Sequence, residues 1–221
     1  MRARRAQRGV ALMLLLAALV MGAAWYLVRR LDTIAGDYTA ASRAYNAQVL
    51  ARAKQAIIGY VAMQASLAGE NNPGALPCPE APASFNSSSG TDGRMASNCT
   101  LPVVGRFPWR SIGTDKLVDA AGEPLWYVIS TGWAYNGSNT IINSNSLGQL
   151  NIDGSAGSDA DTVVALIIAP GPPVSVTASA GCAAWTQTRP TAAPPDLRNY
   201  LECENATSPA DASFVTKCAN C

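Results

Sequence analysis

The chain has 221 residues and a formal net charge of +1, from 16 Lys+Arg against 15 Asp+Glu. It holds no histidine, which removes the commonest general base and the commonest metal ligand, and its charge balance carries no nucleic-acid footprint. Charged residues make up only 14% and all six cysteines follow the first apolar run, a composition suited to a loop-rich extracytoplasmic domain more than to a cytosolic enzyme.

The chain opens on a basic leader, residues 1–9, that ends in Gly9. Residues 10–28 then carry no charge and consist of small or apolar side chains plus Trp25 and Tyr26. About 20 such residues span a bilayer as a helix. Arg2, Arg4, Arg5 and Arg8 precede the run and Arg29 and Arg30 close it, so the charge bias places the N-terminus in the cytoplasm and the bulk of the chain outside. Trp25 and Tyr26 fall where an interfacial belt lies. A cleaved secretory signal is the rival, with Gly22-Ala23-Ala24 as its small residues, but its apolar region is usually only about 7–15 residues long.

Beyond Arg30 the apolar positions recur in steps of three and four: Leu31, Ile34, Tyr38, Ala41, Tyr45, Val49, Ala53, Ile57, Tyr60 and on to Leu67. That period marks one face of a helix. No proline appears before Pro73, so the simplest expectation is one helix from about Arg8 to Ala68, with residues 29–68 as its amphipathic part. At about 1.5 Å per residue it is on the order of 90 Å long, and "GENNPG" ends it. Its face is rich in Ala and Tyr with no sustained Leu/Ile heptad, which favours packing on a domain of the same chain over a coiled coil.

Residues 69–221 read as a β-rich domain. "LPCPEAPASFNSSSGTDGRMASNCTLP" is a Pro/Ser/Gly loop bracketed by Cys78 and Cys99, and a connector stapled by a disulfide is favoured over an exposed recognition loop. Phe107 and Trp109 around Pro108 are expected as a core anchor where loop and helix meet. "EPLWYVIST" reads as a strand, Gly132–Ser146 as a strand or variable loop, and "LGQLNIDG" with "TVVALIIAPG" as two strands around a turn. The unbroken run Val163–Ala169 predicts a central strand buried on both faces. Asp153, Asp159 and Asp161 in "NIDGSAGSDAD" are candidate calcium ligands, although the spacing is not that of an EF-hand and a solvated hairpin loop is favoured. No other cofactor is expected.

The cysteines predict disulfides, with nearest-neighbour pairing (Cys78–Cys99, Cys182–Cys203, Cys218–Cys221) as the expectation, since sequence alone leaves the pairing open. A zinc site is disfavoured by the wide, irregular spacing, and "CANC" does not open a helix as redox motifs do. The chain has no P-loop, GxGxxG, GxSxG or SxxK, so no enzyme activity is expected.

A basic leader, a glycine, the run "QRGVALMLLLAAL", an amphipathic continuation and a disulfide-bearing β domain together resemble the type IV pilin and pseudopilin class. The blocks "PGALPCPE" (73–80), "GRFPWRSIGTDKLVDAAGEPLWYVIS" (105–130), "VVALIIAPGPP" (163–173) and "LRNYLECEN" (197–205) resemble a recurring set in bacterial prepilin-like proteins, a likeness that specifies class more than task. The resemblance implies cleavage by a prepilin peptidase between Gly9 and Val10 and methylation of Val10 as the new N-terminus. It implies helix packing through Leu12, Leu14, Leu15, Leu16 and Leu19. The family usually carries Glu at the fifth mature position, where this chain has Leu14, a departure that favours a minor, tip or initiating subunit and leaves the cleavage itself open.

The expectation is therefore an α+β fold: a long N-terminal transmembrane and amphipathic helix packed on a small antiparallel sheet, pilin-like, with disulfide-stabilised loops. The expected function is a non-enzymatic minor pilin or pseudopilin of a type IV pilus or type II secretion-type filament. Its expected partners are the lipid bilayer, other pilin or pseudopilin subunits and a prepilin peptidase, with no nucleic acid. The expected location is the bacterial inner membrane, single-pass, with the C-terminal domain in the periplasm or in an extracellular filament. The alternative is a single-pass anchored periplasmic binding or scaffold domain that never polymerises. A eukaryotic type II membrane glycoprotein is a further rival, because Asn86, Asn98, Asn136 and Asn205 begin N-x-S/T sequons, although the Gly9 arrangement is not expected there.

Overall fold

The computed structural model describes residues 3–70, 72–86, 90–97, 99, 103–135, 142–143, 145–148, 150–152, 162–178, 183–189, 195–201, 205 and 213–214. The chain divides into two compact units, Met1–Ala44 and Tyr45–Cys221. Helix α1 (Ala3–Ala65) makes up the described part of the first and opens the second. It begins earlier than the expected Arg8 and stops three residues short of Ala68. The stop has a local cause. Ser66 and Leu67 donate their backbone N–H groups to Met63 and Gln64, tightening the last turn, and Gly69 then adopts a left-handed φ of 85° that ends it.

In the second unit α1 buries Val49, Ala53, Ile57 and Tyr60, the steps of three and four that the sequence predicts. Val49, Ala53 and Ile57 join a core with Leu76, Phe107, Leu117, Leu125, Tyr127 and Ile129, and the Tyr60 hydroxyl donates to Met95 Sδ. Strands β1 (Val103–Arg106), β2 (Trp126–Ile129) and β5 (Ala165–Ile168) form an antiparallel sheet in the order β1-β2-β5. Val104 faces Val128 across one pair, and Val128 faces Leu166 across the other. The central, fully buried strand is thus β2, which corrects the expectation for Val163–Ala169: β5 lies beside β2 and its residues are only half-buried. A turn of helix, α2 (Trp109–Ile112), follows β1. It carries Trp109 onto the core beside fully buried Phe107, as the anchor expectation has it.

Among the described residues the expected sheet is accompanied by a second three-stranded sheet of shorter strands and by a two-stranded one. Strand β3 (Leu150–Ile152) pairs antiparallel with β4 (Thr162–Val163) and parallel with β8 (Ser213–Phe214). Strands β6 (Ser175–Val176) and β7 (Trp185–Thr186) form an antiparallel pair. Alternate residues of β2 serve different clusters. Tyr127 and Ile129 meet the helix side, whereas Trp126 packs with Phe85 and Tyr200. Both faces of the strand are therefore covered.

Candidate functional site

Two places in the chain depart from the ordinary rule of apolar inside and charge outside. The first is the apolar stretch of α1. Leu12–Arg30 is long and apolar enough to cross a membrane, consistent with a membrane anchor or a signal sequence. None of it is buried among the described residues. Leu12, Leu14, Leu15, Leu16 and Leu19, expected as packing residues, expose half or more of their surface and are distributed around the helix. A helix that is apolar all round needs cover from lipid or from other helices. Gly9 and Val10 lie on the helical backbone of α1.

The second place is a charged centre inside the domain. The expected disulfide joins Cys78 to Cys99, with Cα atoms 5.7 Å apart and both residues buried. Cys182, Cys203, Cys218 and Cys221 lie outside the described residues, and so do the calcium candidates Asp153, Asp159 and Asp161. Among the described residues no group of three or more Cys, Asp or Glu is placed to hold a metal.

The stapled loop delivers two carboxylates to Arg106 at the end of β1. Arg106 Nε donates to Glu80 Oε2 at 2.5 Å, and Nη2 donates to Glu80 Oε1 at 3.0 Å and to Asp92 Oδ1 at 2.5 Å. Nη1 donates to Asn86 Oδ1 at 3.0 Å, and the guanidinium lies 4.3 Å over the Phe85 ring. Gly93 N–H donates to Glu80 Oε1, and Lys116 pairs with Asp92. Glu80 and Arg106 are 3% and 4% exposed, so both charges are withdrawn from water and survive only through one another. Burial pushes the Glu80 carboxyl above its ordinary value, against the opposing pull of Arg106 and of the Gly93 N–H.

Two glycines make this centre possible. Gly93 has a left-handed φ of 76°, and the Trp109 ring occupies the space its Cβ would take. Gly105 lets β1 approach the loop so closely that an added Cβ would sit 2.8 Å from the Glu80 carbonyl oxygen.

Beside Arg106 is a cleft of about 130 Å³ lined by Phe85, Asn86, Arg106, Glu123, Arg189 and Tyr200. Arg189 donates to the carbonyls of Asn199 and Gly171, pairs with Glu123 at 3.3 Å and stacks 5.0 Å from the Tyr200 ring centre. Both guanidiniums thus hold loops of the domain together, and the cleft is well below the several hundred Å³ of ordinary small-ligand sites. Sequence reasoning did not single out Arg106, Glu80 or Asp92. The available signal was a charge set among apolar and proline residues in "PCPE" and "GRFPW". No family model, no curated protein and no solved structure matches this chain.

Proposed function

We propose that this chain is a pilin-like subunit, a minor pilin or pseudopilin, of a type IV pilus or type II secretion-type filament, and that its work is assembly and not catalysis. One observation carries the proposal: Leu12–Arg30 is apolar and not buried among the described residues, while the same helix buries Val49, Ala53, Ile57 and Tyr60. A rod that is complete at one end and uncovered at the other fits a subunit that waits in the bacterial inner membrane and then joins a bundle of like helices. Transfer from lipid to such a bundle exchanges one apolar surrounding for another, so close packing and not hydrophobic transfer selects the partner. The proposed processing site is the Gly9–Val10 bond, cut by a prepilin peptidase on the cytoplasmic side, with the domain in the periplasm.

The test is the intact mass of the full chain recovered from membranes of a host that carries a prepilin peptidase. Loss of residues 1–9 with one methyl group on Val10 supports the proposal; an uncut N-terminus overturns it. Leu14, where the family has Glu, leaves the cleavage open and so keeps a second reading, an anchored periplasmic binding or scaffold domain that does not polymerise, and the uncut mass is what that reading expects.

A further inference from the structure

The membrane end of α1 carries a local arrangement of its own. Trp25, Tyr26, Arg29 and Arg30 lie at the close of the apolar stretch, all exposed. They form two contacts at i,i+4 spacing on adjacent lines of the helix. The Arg29 guanidinium sits 4.6 Å over the Trp25 ring, and Arg30 Nε donates to the Tyr26 hydroxyl at 3.3 Å. Helical side chains lean toward the N-terminus, so Arg29 is drawn back over the Trp25 ring and Arg30 to the Tyr26 hydroxyl, both toward the apolar residues. Two cations are thereby held side by side at the level where the uncharged run ends.

We propose that Trp25, Tyr26, Arg29 and Arg30 form a collar that binds the phosphate of an anionic glycerophospholipid headgroup at the non-cytoplasmic end of the span. The inference rests on the membrane-span reading of α1, and it adds a lipid class and the residues that select it. Charge complementarity carries it. Residues 29–32 hold two arginines against one acid, Asp32, directly after an uncharged stretch. Cations on the outer side run against the positive-inside bias, and an anionic headgroup supplies the charge that holds them there. The Arg29 guanidinium, stacked by its face on Trp25, keeps its N–H edge for a planar fork, the geometry that suits phosphate oxygens, and Arg30 beside it adds a second positive charge. The rings restrict the arginines in advance, so less freedom is lost when the headgroup docks. The collar sets the depth of the helix and adds a headgroup contact that must break when the helix leaves the bilayer.

The experiment is native mass spectrometry of the full chain released from detergent micelles, titrated separately with phosphatidylglycerol and phosphatidylcholine. The parent is expected to retain phosphatidylglycerol several-fold better than phosphatidylcholine. Arg29→Gln/Arg30→Gln is expected to weaken phosphatidylglycerol retention on the order of tenfold, with helical circular dichroism and membrane integration unchanged. Equal retention of the two lipids by the parent, or equal retention by parent and variant, overturns the collar and leaves the span standing. Displacement of the lipid by millimolar inorganic phosphate overturns the lipid assignment. A parent recovered from membranes without residues 12–30 overturns span and collar together.

Discussion

The apolar half of α1 and the Arg106 centre distribute charge and apolar surface in opposite senses. In Leu12–Arg30 leucines face outward; in the domain Glu80 and Arg106 are withdrawn from water. The centre is complete within the chain, because each buried charge meets an opposite one and Arg106 is bonded by Glu80, Asp92 and Asn86. The helix is incomplete, because nothing among the described residues covers the leucines. The Arg106 centre therefore answers to stability measurements on the isolated protein, and the apolar helix answers only to its surroundings.

The largest expected effect comes from breaking the centre. Arg106→Met leaves buried Glu80 without its cation and Asp92 with Lys116 alone, and is expected to cost about 3–5 kcal/mol in urea unfolding of the full chain in detergent. A cost below 1 kcal/mol would mean that the carboxylates find water and that the centre is not sealed. Opening the staple comes next. Cys78→Ala/Cys99→Ala frees a loop whose ends are 21 residues apart, for an expected loss of about 3 kcal/mol in the same measurement. Loss of the staple also loosens the hold of Glu80 and Asp92 on Arg106, so its effect and that of Arg106→Met are expected to fall short of additive.

The interior also has an alkaline limit. Burial raises the Tyr60 and Tyr200 hydroxyls above their ordinary value and pushes Tyr127 well above it. The folded chain therefore keeps protons that the unfolded chain releases above about pH 10. Their contribution is fully present below that pH and is lost as pH rises through the folded values. Phenolate absorbance is expected to lag free tyrosine and then rise together with the loss of near-ultraviolet dichroism. Tyr127→Phe removes a buried hydroxyl that has no hydrogen-bond partner among the described residues, so this variant is expected to hold its fold to higher pH. The smallest expected effect is on the other side of the comparison. Leu16→Gln, on a residue 51% exposed, should leave domain stability within about 0.5 kcal/mol while weakening retention in membranes.

Legibility in the sequence follows the same division. The helix was readable because its signal is local: a charge-free run, then apolar residues three and four apart, with Val49, Ala53, Ile57 and Tyr60 buried in turn. The Cys78–Cys99 staple was readable from proximity in the chain. The place of β2 at the centre was not, because alternation in "EPLWYVIST" suggests one wet face. That face is covered by Phe85 and Tyr200, which come from segments far from Trp126 in the chain. Val163–Ala169 was assigned the centre because an unbroken apolar run has the same pattern in a central strand and in its half-covered neighbour. The Arg106 centre was invisible for a similar reason: its carboxylates lie 26 and 14 residues away, and charge pairing leaves no periodic trace.

The most direct measurement places a photo-crosslinking amino acid at Leu16 in the full chain, in membranes of a host that assembles the filament. The expected products are adducts to lipid and, once assembly is induced, to a second prepilin-type helix identified by its peptide mass. Adducts to lipid alone under both conditions would contradict the account and leave a domain on a tether.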